Sequence, residues 1–153
     1  MISNCAIAPG LETNQYLTDV YDWDIFEKNW WPSGWALDLQ ANNDFQKAMH
    51  PNTDVILQNI DGKIFALSNI CRHRKAQIQT TPTGNRPLIC PYHSWRYGDC
   101  GKLISAPDAE ANFGLTKDRI GEIALDSFDL KYLGNLILTR QCGQLRPTKT
   151  LSI

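Results

Sequence analysis

The sequence predicts a mainly β domain, a small antiparallel β-sandwich or barrel with one helix at its N-terminal edge. Three observations predict it. Short β-branched and apolar runs recur along the chain, each bounded by turn residues. Two of those runs flank Asp61-Gly62, a pair that tolerates the positive φ of a tight hairpin turn. Helical periodicity is confined to one stretch near the N-terminus.

Residues 1–16 are polar and aperiodic and are expected to form an irregular arm. From Asp19 to Trp31 a helix is expected: Val20, Trp23, Phe26 and Trp30 make an imperfect apolar stripe, Asp19 is placed to cap it, and Pro32-Ser33-Gly34 ends it. Trp35 to Leu39 reads as a short strand and Asn42-Asn43-Asp44 as a loop. Val55–Ile60 and Lys63–Leu67 are the arms of the hairpin. Thr80–Asn85 reads as a loop, Pro87–Ile89 and Trp95–Tyr97 as short strands, and Gly98–Gly101 as a turn with Lys102-Leu103-Ile104 after it. Residues 105–127 are loop-rich around Pro107, and Tyr132 to Arg140 holds the last strand in Leu136–Thr139. The body of the domain is thus expected over 17–140, with a mobile tail over 141–153.

Composition narrows the function. The 153 residues are 42% hydrophobic and 20% charged, with five Trp, five Tyr and five Phe, enough to build a core without disulfide staples. A net charge of −1 lacks the basic footprint of a nucleic-acid binder. No apolar run approaches the roughly 20 residues of a membrane-spanning helix. The opening residues do not read as a secretory signal, so a cytoplasmic or organelle stroma/matrix location is expected, where five Cys serve as thiols or ligands.

Two clusters carry chemistry. Cys71-Arg72-His73 is C-x-H and Cys90-Pro91-Tyr92-His93 is C-x-x-H, with residues 74–89 between them. Each follows an apolar run and so sits on a loop at a strand end, where two loops side by side can present two thiolates and two imidazoles to one centre. Thiolate with imidazole suits iron–sulfur or zinc. One Cys and one His per loop is the Rieske pattern, in which two His replace two Cys on one iron. Cys2His2 is also a zinc set, although a one-residue bite between ligands is less usual there. Four unconnected residues, two buried Cys and two surface His, are the bland reading.

The flanks add a resemblance. Asn69-Ile70-Cys71-Arg72-His73-Arg74 and Cys90-Pro91-Tyr92-His93-Ser94-Trp95-Arg96-Tyr97 resemble the Rieske [2Fe-2S] domain of ring-hydroxylating (aromatic) oxygenase large or alpha subunits. The Asp61-Gly62-Lys63 turn and the run Gly101 to Pro107 match the family's flanking stretches, and the likeness extends from about Tyr21 to Leu138. It implies a [2Fe-2S] cluster with Cys71 and Cys90 on the buried iron and His73 and His93 on the outer one. It further implies that Tyr97 donates to a ligand thiolate, that Trp95 packs over the cluster, and that Arg74 lies on a face that meets a neighbouring domain. Ser94 stands where the family usually has Gly, a position suited to positive φ or close backbone approach. The second Cys pair and the Ser donor of respiratory Rieske proteins are replaced here by Ala76, Tyr92 and Trp95. The resemblance therefore implies no loop-bridging disulfide and a potential near the low end of roughly −150 to +300 mV.

Oxygenase large subunits also carry a mononuclear iron held by two His and a carboxylate. Three His are present, and once His73 and His93 are used only His50 is left. His50 itself reads as a surface residue in a turn, Cys100 as an exposed thiol, and Cys5 and Cys142 as terminal residues without a role. The expected function is the Rieske electron-transfer component of an oxygenase system, feeding a mononuclear iron on another chain from a reductase or ferredoxin. The alternative is a free-standing Rieske-type ferredoxin. A homo-oligomer is compatible with either.

Overall fold

The computed structural model describes residues 29–48, 50, 53–107, 109, 111 and 114–141. The expected arm, the helix from Asp19 up to its last residues, and the tail beyond Gln141 lie outside them. Strands β1 (Trp31–Trp35), β2 (Asp44–Ala48), β3 (Val55–Ile60), β4 (Lys63–Ser68), β5 (Thr83–Asn85), β8 (Ser127–Leu133) and β9 (Leu136–Gln141) form one antiparallel sheet in the order β1-β9-β8-β4-β3-β2-β5. Strands β6 (Arg96–Tyr97) and β7 (Leu103–Ser105) form a separate pair, and helix α1 spans Lys117–Ile120.

The β3–β4 hairpin is the centre of the domain. Asp61 and Gly62 adopt φ of 50° and 82°, as a type I′ turn requires, and set the register Ile56↔Leu67 and Leu57↔Ala66. Period-2 alternation then sends side chains to two cores. Val55, Leu57 and Ala66 pack on one face with Leu39, Phe128 and Ile137. Ile56 and Leu67 pack on the other with Ile78, Leu88, Trp95, Tyr97, Leu103 and Leu125. Burial on both faces explains why β3 opens on the continuous apolar run Val55-Ile56-Leu57. The second core also contains Cys71 and Cys90, so the candidate ligand loops are mounted directly on the hairpin's outer face.

The sheet curls until β1 approaches β2, where Trp35 N–H donates to Gln46 Oε1 at 3.3 Å. Gly34 permits this approach: a Cβ there would lie 2.5 Å from Gln46 Oε1 and 2.6 Å from Leu57 Cδ1.

Several expected boundaries move. Trp31 begins a strand rather than ending a helix, and β1 runs straight through Pro32-Ser33-Gly34. A proline is tolerated because β1 is an edge strand whose pairing with β9 shifts register between Pro32 and Gly34. The strand expected over 35–39 is replaced beyond Trp35 by a 3₁₀ turn, Ala36–Asp38. Asp44 opens β2 rather than closing a loop, and the expected loop 80–85 contains β5. Pro87–Ile89 supplies only an isolated bridge, Ile89↔Arg96. Residues 127–133 form β8, a strand that the sequence reading did not single out.

Candidate metal centre

Both ligand loops have the same backbone. In the first, Lys75 N–H donates to Cys71 O (3.0 Å), Cys71 N–H donates to Ala76 O (2.8 Å), and an Ile70↔Gln77 bridge closes the stem. In the second, Ser94 N–H donates to Cys90 O (3.0 Å), Cys90 N–H donates to Trp95 O (2.9 Å), and Ile89↔Arg96 closes the stem. Each is a single helical turn that must then reverse, and the reversing residue is left-handed in both: Lys75 at φ 59° and Ser94 at φ 55°. The only shift is in the imidazole, two residues after Cys71 in one loop and three after Cys90 in the other.

The four candidate ligands come together as two pairs. Cys71 and Cys90 are 1% and 2% exposed, with their thiols interacting. His73 and His93 meet edge to face with ring centroids 4.5 Å apart, and His93 is exposed. Among the described residues no three Cys, His, Asp or Glu side chains are grouped to hold a single metal ion. Thiol paired with thiol and imidazole with imidazole is a grouping that suits a binuclear cluster.

The profile of the Rieske [2Fe-2S] domain family matches residues 29–129. The chain belongs to that family. Its Rieske domain is 30% identical over 95 residues to a glycine betaine monooxygenase oxygenase subunit of Pseudomonas aeruginosa, covering 61% of this chain and 22% of that one. It is 36% identical over 93 residues to the large oxygenase component of a 2,4-dinitrotoluene dioxygenase system of Burkholderia sp., covering 59% and 20%. Naphthalene 1,2-dioxygenase from Rhodococcus sp. superimposes with a TM-score of 0.71 at 25% identity, over 82% of this chain and 29% of that one. The chain thus spans about a fifth of the length of the relatives it matches. Its cofactor is a Rieske [2Fe-2S] cluster, the electron-transfer centre of oxygenases of this type.

Around the four candidate residues, several neighbours are well defined. Tyr97 Oη lies 3.1 Å from Cys71 Sγ and accepts the Arg72 backbone N–H at 3.0 Å. Trp95, 2% exposed, stacks on the His73 ring at 4.8 Å and 9°. Burial pushes the Cys71 thiol's pKa up; the Tyr97 hydroxyl and the His73 backbone pull it down, and Cys90 pushes it up again. Burial, then the Cys71 thiol, pushes the Tyr97 phenol up, so it keeps its proton. Burial depresses His73, with His93 and the nearby Arg74 charge adding to the effect. Arg74 and Ser94 are exposed on the two loops.

His50 is not at this site. It is half-buried rather than on the surface, its ring 5.3 Å from Phe128 in the other core, and burial depresses its pKa. Cys100 is exposed as expected.

Sequence reasoning missed the residues that brace the first loop. Arg72 Nε donates to Ala124 O at 2.8 Å and its Nη2 pairs with Asp126. Below them Asn69 and Gln79 clamp the stem: Asn69 Nδ2 donates to Gln79 O (2.9 Å) and Gln79 N–H donates to Asn69 Oδ1 (2.7 Å). Arg86 Nε donates to Gln79 Oε1 at 2.8 Å. A polar Asn immediately before a candidate ligand loop was the one local signal available; the partners are too far along the chain to be read.

Proposed function

We propose that Cys71 and Cys90 hold one iron of the cluster and His73 and His93 the other. On this reading the chain takes single electrons from a reductase or ferredoxin and passes them to a mononuclear non-haem iron on a partner oxygenase chain. The observation that carries the reading is the pairwise grouping: the two thiols are buried together, and the half-buried His73 ring meets the exposed His93 ring. Neutral imidazoles from His73 and His93 would leave less negative charge on the iron they hold than thiolates would, so that iron would be the one to accept the added electron. The relatives are oxygenase subunits and components. No described helix is long and apolar enough to cross a membrane.

Reduced protein is expected to give the electron paramagnetic resonance spectrum of a Rieske centre with a potential near the low end of the family range, roughly −150 mV. Cys71→Ser is expected to abolish the spectrum, and His73→Cys to lower the potential or lose the cluster. An unchanged potential in His73→Cys, or a native protein that holds zinc and no iron, refutes the ligand assignment. Pull-down from the native host tests the acceptor. A stoichiometric chain with a two-His, one-carboxylate iron site supports the oxygenase role, whereas recovery with a flavin reductase alone points to a free ferredoxin.

A further inference from the structure

Two buried glutamines join the stems of the two ligand loops. Gln58 on β3 and Gln79, just beyond the first loop, are both 0% exposed. A buried side-chain amide costs free energy unless its two donors and its acceptor are engaged. Here they are. Gln79 Nε2 donates to Gln58 Oε1 and to Arg86 O, each at 3.1 Å, and Gln79 Oε1 accepts from Arg86 Nε at 2.8 Å. Gln58 Nε2 donates to Arg86 O at 2.9 Å and to Asn43 O at 3.0 Å. Arg86 Nη2 reaches back to Ile78 O at 2.5 Å. The backbone of Gln79 is meanwhile clamped to the Asn69 side chain, two residues before Cys71. Arg86 stands four residues before Cys90. Gln79 thus holds the stem of the first loop through its backbone and the stem of the second through its side chain.

An apolar side chain at position 79 would fill the core without any desolvation cost. What it would not do is fix a distance. Apolar contacts are non-directional and let two segments slide, whereas a fully satisfied buried polar network admits one arrangement. We infer that Gln79 is a positioning residue for the cluster: through Arg86 it fixes the separation of the two loop stems, and so the spacing of Cys71 and Cys90. The inference rests on the ligand assignment above, because the spacing matters only if both thiols hold the same group. The role differs from that of Arg72, whose bonds to Ala124 and Asp126 fasten the first loop to the body and do not reach the second.

The test measures cluster loss to excess EDTA, followed by visible absorbance, together with the paramagnetic resonance linewidth of the reduced protein. Ile137→Val and Ile137→Ala weaken the other core by graded amounts and calibrate how cluster loss follows global stability, read as the urea midpoint. Gln79→Met keeps the bulk of the side chain and removes its ties. It is expected to lose the cluster about tenfold faster than that calibration allows, with broadened resonance lines. Arg86→Met cuts the same tie from its half-buried end and is expected to act in the same direction. The double variant should fall well short of the product of the two single effects, because both remove one connection. A Gln79→Met protein that lies on the calibration with native linewidth overturns the positioning role and leaves the ligand assignment standing. So do single effects that multiply in the double variant. Should Gln79→Met not fold, Arg86→Met decides by the same calibration and linewidth. A native protein without a Rieske spectrum overturns the ligand assignment and the positioning role together.

Discussion

The first loop, 70–77, and the second, 89–96, share a backbone and differ in what fastens it. The first is tied into the body by side chains: Arg72 reaches Ala124 and Asp126, and Asn69 and Gln79 clamp its stem. In the second, Pro91, Tyr92, His93 and Ser94 are all exposed, and the tie to the body is made through the buried Cys90, Trp95 and Tyr97. One turn design thus serves two tasks. The braced loop sets the geometry of the Cys71–Tyr97 pair, while the exposed loop brings an imidazole and an aromatic ring to the surface. Proline supplies in the second loop part of the stiffness that hydrogen bonds supply in the first, by fixing one φ and reducing the freedom of the unfolded chain.

The largest effect separating the loops should come from removing the brace. Arg72 has a 20% exposed side chain that bonds a backbone carbonyl and a carboxylate which is itself 38% exposed. Discounting the ion pair for solvent screening, Arg72→Ala is expected to cost about 2 kcal/mol. Its counterpart in sequence type, Arg96→Ala, is expected to cost less than about 0.5 kcal/mol. Urea unfolding followed by circular dichroism compares them; equal losses would mean that the two loops are fastened alike after all.

That brace marks the limit of what the sequence reveals. The Rieske family was legible because metal chemistry admits few residue types, and Cys71, His73, Cys90 and His93 stand in short, unusual spacings. Asp61-Gly62 was legible because the turn is decided by the dihedral tolerance of two adjacent residues. Arg72 was not, because its partner Asp126 is 54 residues away and a cation between two ligands reads as solvated charge. Strands β2 and β5 were missed because they present few apolar side chains: Phe45 is the single fully buried residue of β2, and all of β5 is exposed. Strand β1 was hidden by Pro32 and Gly34, whose local preferences are overridden at an edge with a register shift.

The next effect is electronic. Tyr97 Oη accepts the Arg72 N–H, which leaves its own proton for Cys71 Sγ, and the raised pKa of the phenol keeps that proton in place. A donor to a ligand sulfur stabilises the electron-rich, reduced cluster. Tyr97→Phe is therefore expected to lower the midpoint potential by about 40 mV, the one-electron equivalent of about 1 kcal/mol. Among the described hydrogen bonds only Cys71 has a tyrosine hydroxyl within reach, so the shift reports on the first loop alone. Potentiometric titration of the two proteins decides it, and an unmoved potential would show that the hydroxyl does not donate to the thiolate.

The smallest effect probes the feature the loops share. Lys75 and Ser94 occupy the left-handed region at φ 59° and 55°, where an L side chain costs roughly 1–2 kcal/mol. Glycine relieves that strain but carries roughly 0.5–1 kcal/mol more backbone entropy into the unfolded state. Lys75→Gly and Ser94→Gly are therefore each expected to stabilise the protein by about 0.5 kcal/mol. The two gains should be equal, because the turn geometry is the same in both loops. Neither substitution removes a ligand or the Tyr97 donor, so the potential should stay within a few mV in Ser94→Gly, about 0.1 kcal/mol or less. Matched denaturation midpoints for the pair confirm that backbone strain is the common term. A Ser94→Gly variant that loses stability, or moves the potential while Lys75→Gly does not, assigns the Ser94 hydroxyl a bond of its own and breaks the equivalence of the loops.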